Sequence, residues 1–317
     1  PATPALPAIP GDPRLPSAAQ LGYEATATWL ASLAPAAREA AVAAAETNLG
    51  ADASARADAA LILAVARQAA GDAERAAEAA ATYFATPLAL PHDIAEPTAE
   101  RLLLDVHRAY EQRRREVAEP AYRAAYQAGR RDYLVLLRLI EVGIDRGEAR
   151  RVAPVVAEFE ARFGAALDAW AAIALSRFHQ AEGNVARGTR LLLAVPAFPA
   201  IDAFAEATLL HRLVEIGAVE EASSRSEAST ADPSPDLFGA RFRIAVKRRD
   251  APALLGAVAD RRAAQLRGWQ LAEAMFHVLR QGATAQPAAM IHLLGVLGAV
   301  AEVEHDPVRR ATLRRHV

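Results

Sequence analysis

The side chains able to hold a metal are eight histidines: His92, His107, His179, His211, His277, His292, His305 and His316. No two of them are four residues apart, and no HExxH is present, so no helical turn offers the paired imidazoles of a zincin site. Phosphate cradles need consecutive free amides at a helix start, usually supplied by glycines. The chain has neither GxGxxG nor GxxxxGK[ST], and its glycines stand singly. There is no GxSxG elbow and no cysteine, which removes the serine-hydrolase turn, thiol catalysis, disulfides, Cys-zinc sites and iron–sulfur clusters. Adjacent carboxylates such as Glu220 and Glu221 fall at a helix start, where they complement the helix dipole. The expectation is a non-catalytic chain with no metal and no cofactor.

Basic side chains cluster at Arg113–Arg115, at Arg241–Arg249 (RFRIAVKRR), at Arg261–Arg262 and at Arg309–Arg315. The first is flanked by Glu111 and Glu116. The second interleaves cations with apolar residues at helical spacing, as in a solvated helix face with a buried opposite face. With 36 basic and 38 acidic residues the net charge is −2, which argues against a phosphate-backbone or RNA-reading surface. A protein or peptide is the expected partner.

These residues must be positioned by helices. About a quarter of the 317 residues are alanine, and Arg, Glu, Leu and Val are abundant, while runs of β-branched and aromatic residues are missing. At 53% hydrophobic the chain is not a disordered tail. The longest apolar run, 288–300, is broken by His292, Gly295 and Gly298, and falls short of the roughly 18 residues that span a bilayer. The first 16 residues hold six prolines and read as an extended tether or strap.

From there a helical pattern is punctuated by breakers: Pro35, Gly71-Asp72, Arg113, Gly147-Glu148, Gly183-Asn184, Gly217, Arg249-Asp250 and Gly282. Their mean spacing is about 35 residues, the period of stacked helix–turn–helix units. One longer step coincides with an insertion, Pro87–Pro97. Placing each breaker at unit position 15 puts Ala60, Leu102, Leu136, Ala172, Glu206, Phe238 and Leu271 at position 4. Position 20, where two helices approach closely, holds Ala76, Ala118, Val152, Gly188, Ala222, Leu254 and Pro287. Over positions 4, 7, 8, 20 and 24 of seven units, 28 of 35 residues are hydrophobic, well above the 53% of the whole chain.

On this frame, with Gly71-Asp72 and Gly147-Glu148 as its clearest turns, the chain resembles the tetratricopeptide-repeat family over about residues 20–300. It lacks that family's first-helix glycine and tyrosine: unit position 8 is Ile140, Ser176, Leu210 and Phe242. Related hairpin arrays, Sel1-like or the superhelical part of a lytic transglycosylase, share the period. The resemblance implies an all-α, right-handed α-solenoid of about eight antiparallel hairpins over 17–300. The Pro-rich segment 1–16 precedes it, and a capping or continuing helix, 301–317, follows.

In such an array the first helices line a concave groove. Unit position 9 then forms the row Val65, His107, Glu141, Arg177, His211, Arg243 and Phe276, joined by Gln68, Tyr110 and Gln180 from position 12 and by Trp170, Phe204 and Trp269 from position 2. Arginine and aromatic side chains dominate binding hot spots, so the row suits a peptide or extended protein segment. The segment Ser223–Pro235 reads as a shortened helix followed by a solvated connection.

The functional expectation is a protein-interaction scaffold. The missing initial methionine, the Pro/Ala-rich start and the lack of cysteine suggest a bacterial periplasmic or envelope assembly. Two alternatives stay open. One is the superhelical part of a larger cell-wall or polysaccharide-processing enzyme. The other is a cytoplasmic sensor that takes a small ligand or signal peptide near Trp170, Arg177 and His211.

Overall fold

In the computed structural model the described residues are 17–112, 115–227, 234–248, 250 and 253. They form fourteen α-helices and no strand. The chain divides into two compact units, 1–165 and 166–317. The repeats beyond residue 253, the final helix and the expected site residues Trp269 and Phe276 lie outside the described residues.

The first unit holds α1 (Ala18–Leu21), α2 (Tyr23–Ser32), α3 (Pro35–Asn48), α4 (Ala53–Ala69), α5 (Ala73–Ala85), α6 (His92–Glu111), α7 (Arg115–Gln127), α8 (Tyr133–Asp145) and α9 (Ala149–Phe163). The second holds α10 (Ala169–Ala181), α11 (Val185–Ala194), α12 (Ala203–Glu215), α13 (Val219–Glu227) and α14 (Pro235–Arg248). Four hairpins of the described residues turn at the glycine breakers of the sequence. Gly71, Gly147, Gly183 and Gly217 all adopt a positive φ between α4/α5, α8/α9, α10/α11 and α12/α13. That left-handed backbone carries no penalty for glycine, and it lets the next amide return to a carbonyl of the finished helix. Asp52, Asp72, Asp168, Asn184 and Asp202 then cap the following helix by accepting from an amide in its first turn. The Pro87–Pro97 insertion is only half loop. Helix α6 starts at His92 and runs for 20 residues with Pro97 inside it.

Packing follows the repeat. Each helix contacts its hairpin partner, and first helices also contact the next first helix, as α10 does α12 and α12 does α14. Every described residue at unit position 4 is buried, from Ala60, Leu102, Leu136 and Ala172 to Glu206 and Phe238. At position 20, Ala76, Ala118, Gly188 and Ala222 are buried and Val152 is half-buried. Gly188 shows why the position is small: a Cβ there would lie 3.1 Å from the Ser176 carbonyl oxygen and 3.3 Å from its Cα. The period reappears in the cross-hairpin hydrogen bonds, which join residues 31 apart (Tyr110–Glu141), 32 apart (Tyr126–Glu158) and 36 apart (Ser176–Arg212).

A second close approach gives a test. A Cβ on Gly143 in α8 would meet Val152 Cγ1 of α9 at 2.2 Å. Valine is stiff at χ1 on a helix, so it cannot simply rotate away. Gly143→Ala is expected to cost about 1–3 kcal/mol of packing, offset in part by alanine's helix preference of up to about 1 kcal/mol. Adding Val152→Ala clears the space. Urea titration should show the double variant at least as stable as Gly143→Ala alone, and a further loss would contradict this packing.

Candidate functional site

Two polar and aromatic clusters contain the described members of the expected row, one in each unit. In the first unit Tyr110 (α6) donates to Glu141 (α8) at 2.9 Å, and Arg138, one turn back on α8, donates to the same Glu141 oxygen at 2.6 Å. The guanidinium of Arg138 also lies 4.6 Å from the centre of the Tyr110 ring, and Arg115 approaches that ring at 5.2 Å. Tyr122 of α7 meets Tyr110 edge-on at 6.2 Å. Burial and the neighbouring Glu141 push the Tyr110 hydroxyl up to about 12, so it stays a donor at any physiological pH. His107 bonds Glu111 through Nε2 at 3.2 Å. Three buried polar atoms here, His107 Nδ1, the Tyr122 hydroxyl and Arg138 Nε, have no protein partner.

In the second unit buried Arg212 is a hub. It donates to Ser176 at 2.8 Å and to Gln180 at 2.7 Å, and approaches Glu215 at 3.4 Å. Burial lowers its pKa, with Arg177 adding to the effect and Glu215 opposing it. His211 and Arg243 meet at 3.3 Å through His211 Nδ1. Arginine only donates, so Nδ1 is the acceptor and the ring proton sits on Nε2. Arg243 also reaches Glu215 at 3.8 Å. In the RFRIAVKRR stretch of α14, Phe242, Ile244, Ala245 and Val246 are buried, and Arg248 bonds Ser223 at 2.7 Å and approaches Glu220 at 3.4 Å. Arg243 and Arg248 of that stretch are thus paired within the protein, while Lys247 is exposed.

Trp170 and Phe204 differ from every residue above. They sit in the first turns of α10 and α12, 34 residues apart, each just after a capping aspartate, Asp168 or Asp202. Their rings stack at 5.9 Å with a 44° tilt, yet Trp170 is 43% and Phe204 58% exposed. They are the only exposed aromatics among the large hydrophobics exposed in the described residues. The sequence frame gave Phe204 no more weight than its position-2 neighbours.

The sequence reading missed the buried ion pair of this unit. Glu206, fully buried on α12, receives two hydrogen bonds of 2.7 Å from Arg225 on α13. Arg225 also donates to the carbonyls of Val195 at 2.8 Å and Pro196 at 3.0 Å, and Glu206 accepts from the Phe198 amide at 3.2 Å. The shortened helix read at the start of Ser223–Pro235 is the end of α13, which stops at Glu227, with Ser223 and Ser226 buried and Arg225 paired to Glu206; the connection that follows, 228–233, lies outside the described residues. An acidic residue at a core position was the available signal, since a buried carboxylate demands a cation.

Two histidines set a pH dependence. Burial, with help from Arg138, holds His107 below its ordinary value of 6.5, against Glu111 and Glu141. Burial and Arg243 do the same to His211, against Glu215 and Asp236. The fold therefore favours the neutral rings. Their contribution to stability is complete above 6.5 and is lost as the pH falls through 6.5 toward the lower folded values. Burial raises half-buried Asp58 and buried Asp105 from 3.8, so the fold favours their protonated forms and their trend is opposite, setting in as the pH rises past 3.8. The melting temperature is expected to fall from about pH 7.5 to about pH 5.5, and a His107→Gln, His211→Gln variant should flatten that slope. An unchanged slope would remove both rings from the account.

Among the described residues no three imidazole or carboxylate groups converge as a metal site, and no helix is long and apolar enough to cross a membrane. Comparison with known proteins finds no matching family model, curated protein or solved structure.

Proposed function

We propose that this chain is a non-catalytic scaffold that binds an extended segment of another protein, with Trp170 and Phe204 as the primary anchors. The reading takes the helical hairpins as a tetratricopeptide-like, right-handed solenoid of about eight repeats, with position 9 lining its groove. The exposed aromatic pair is the observation that carries it. A stacked tryptophan and phenylalanine in water forgo the burial that aromatic rings ordinarily obtain, and such rings supply much of the energy of protein interfaces. Arg177 and His211 stand on the same two helices as a polar border, which Arg243 of α14 extends through its contact with His211. Tyr110 and Glu141 satisfy each other, which assigns them to positioning α6 against α8 rather than to first contact. A place in a bacterial envelope or secretion assembly remains part of the proposal, resting on the Pro/Ala-rich start and the lack of cysteine.

The test is affinity capture from the native organism with the full chain as bait. Wild type is run beside Trp170→Ser, Phe204→Ser and beside Arg177→Glu, Arg243→Glu, with circular dichroism showing that each is folded. A partner lost with the aromatic pair supports the reading. A partner retained by both variants moves the interface elsewhere.

A further inference from the structure

The first helices of the second unit repeat one face. About two helical turns separate unit positions 2 and 9, so the two share a side of the helix, about 10 Å apart along its axis. Position 2 is Trp170 on α10, Phe204 on α12 and Asp236 on α14, all exposed. Position 9 is Arg177, His211 and Arg243 on the same helices, all half-buried. Contacts between helices tie each row together. Trp170 meets Phe204 at 5.9 Å, and Arg243 meets His211 at 3.3 Å. Within this unit α10 packs on α12 and α12 on α14, so both rows run across the helices.

Between the rows the side chains are short. Position 5 is Ile173, Ala207 and Gly239, and position 6 is Ala174, Thr208 and Ala240. Only Ile173 among them is large. The result is a low strip with rings along one edge and cations along the other. On the cationic edge Arg212 and Arg243 share the Glu215 carboxylate, at 3.4 and 3.8 Å. Two positive charges meet one negative charge there, before Arg177 is added. The ring edge ends at α14 in the carboxylate of Asp236.

The strip dictates the chemistry of what lies on it. Packed helices stand about 8–10 Å apart, so a path across α10, α12 and α14 is about 20 Å long. An extended chain covers that distance in about six residues and turns successive side chains to opposite edges. Alternate side chains then meet the rings, and those between them meet the cations. Apolar residues suit the ring edge, because Trp170 and Phe204 have surface left to bury. Carboxylates suit the other edge, where the charge is positive. A basic segment would set its cations against Arg243, and a wholly apolar one would take water from the guanidinium groups and return no partner. Resting on the scaffold reading above, we propose that the partner segment docked across α10, α12 and α14 is extended and alternates apolar with acidic residues over about six positions.

Fluorescein-labelled hexapeptides test this by anisotropy on the full chain. One alternates leucine with glutamate, one holds the same residues as a leucine block and a glutamate block, and one alternates leucine with lysine. A short oligothymidylate is the further probe, since rings beside arginines can also stack bases. The alternating acidic peptide should bind about tenfold or more tighter than each of the others, and more weakly as salt rises. Arg177→Glu, Arg243→Glu, shown to be folded by circular dichroism, should reverse the preference toward the lysine peptide. Trp170→Ser, Phe204→Ser should weaken both alternating peptides alike. Equal binding of the two glutamate peptides overturns the proposal, as does no binding of the alternating one or a wild-type preference for lysine. Tightest binding of the oligothymidylate overturns it in favour of a single-stranded nucleic acid. The scaffold reading fails separately, when the captured partner survives both variants. A captured partner lost with the aromatic pair, beside an acidic peptide that shows no preference, keeps the scaffold and overturns only the segment chemistry.

Discussion

Glu206→Ala is expected to lower the stability of the second unit by about 3–5 kcal/mol, and Arg225→Ala by a similar amount. The pair is among the most enclosed ionic contacts in the described residues: Glu206 is 0% exposed, and the Arg225 side chain is 6% exposed. Its own net stabilisation is modest, because taking two charges out of water offsets most of their attraction. The damage comes from removing one member. Without Glu206 the guanidinium stays under α12 with only backbone carbonyls of residues 192, 195 and 196 as acceptors. Without Arg225 the carboxylate keeps only the Phe198 amide among these contacts, and those carbonyls lose their donor. Replacing both members with apolar residues of similar volume, Glu206→Leu with Arg225→Met, should cost far less than the two single losses together. Urea denaturation measures all of these. Single losses below about 1 kcal/mol would mean that water reaches the pair.

Trp170→Ala and Phe204→Ala are each expected to weaken partner binding by about 2 kcal/mol or more, roughly thirtyfold in Kd, while changing the stability of the free chain by no more than about 0.5 kcal/mol. The two numbers separate because about half of each ring's surface is already in water before binding. The pair should not behave additively. Each ring covers one side of the other, so the second substitution costs less than the first. Calorimetry with the captured partner gives the Kd values, and melting curves give the stabilities. A large stability loss without a binding loss would make the pair a packing feature of α10 against α12.

The hairpin boundaries were legible in the sequence because turn chemistry is local. A glycine at positive φ followed by a polar residue marks the end of a helix whatever surrounds it, and Gly71, Gly147, Gly183 and Gly217 all do so. The positions of close approach were legible because a steric limit recurs at a fixed period: Ala76, Ala118, Gly188 and Ala222 are all buried. What stayed hidden were the partners of polar residues in apolar positions. Asp105 accepts from Tyr23, 82 residues away, at 2.6 Å. Ser176 accepts from Arg212, and Glu206 from Arg225. The periodicity marks each of these as an exception, but the partner is chosen by three-dimensional reach. Exposure was hidden for the same reason. Tyr110 and Trp170 belong to the same kind of row, yet one is buried against Glu141 and the other stands in water.

Hydrogen–deuterium exchange of the full chain, free and with its captured partner, tests the scaffold reading most directly. Amides in the first turn of a helix lack intrahelical acceptors and exchange readily in the free protein, so cover from a partner shows there with high contrast. Trp170 and Phe204 lie in such turns. The expected result is new protection confined to about residues 168–174 and 202–208, with the Arg177–His211–Arg243 border slowed to a lesser degree. Protection elsewhere with these two turns unchanged would contradict the account.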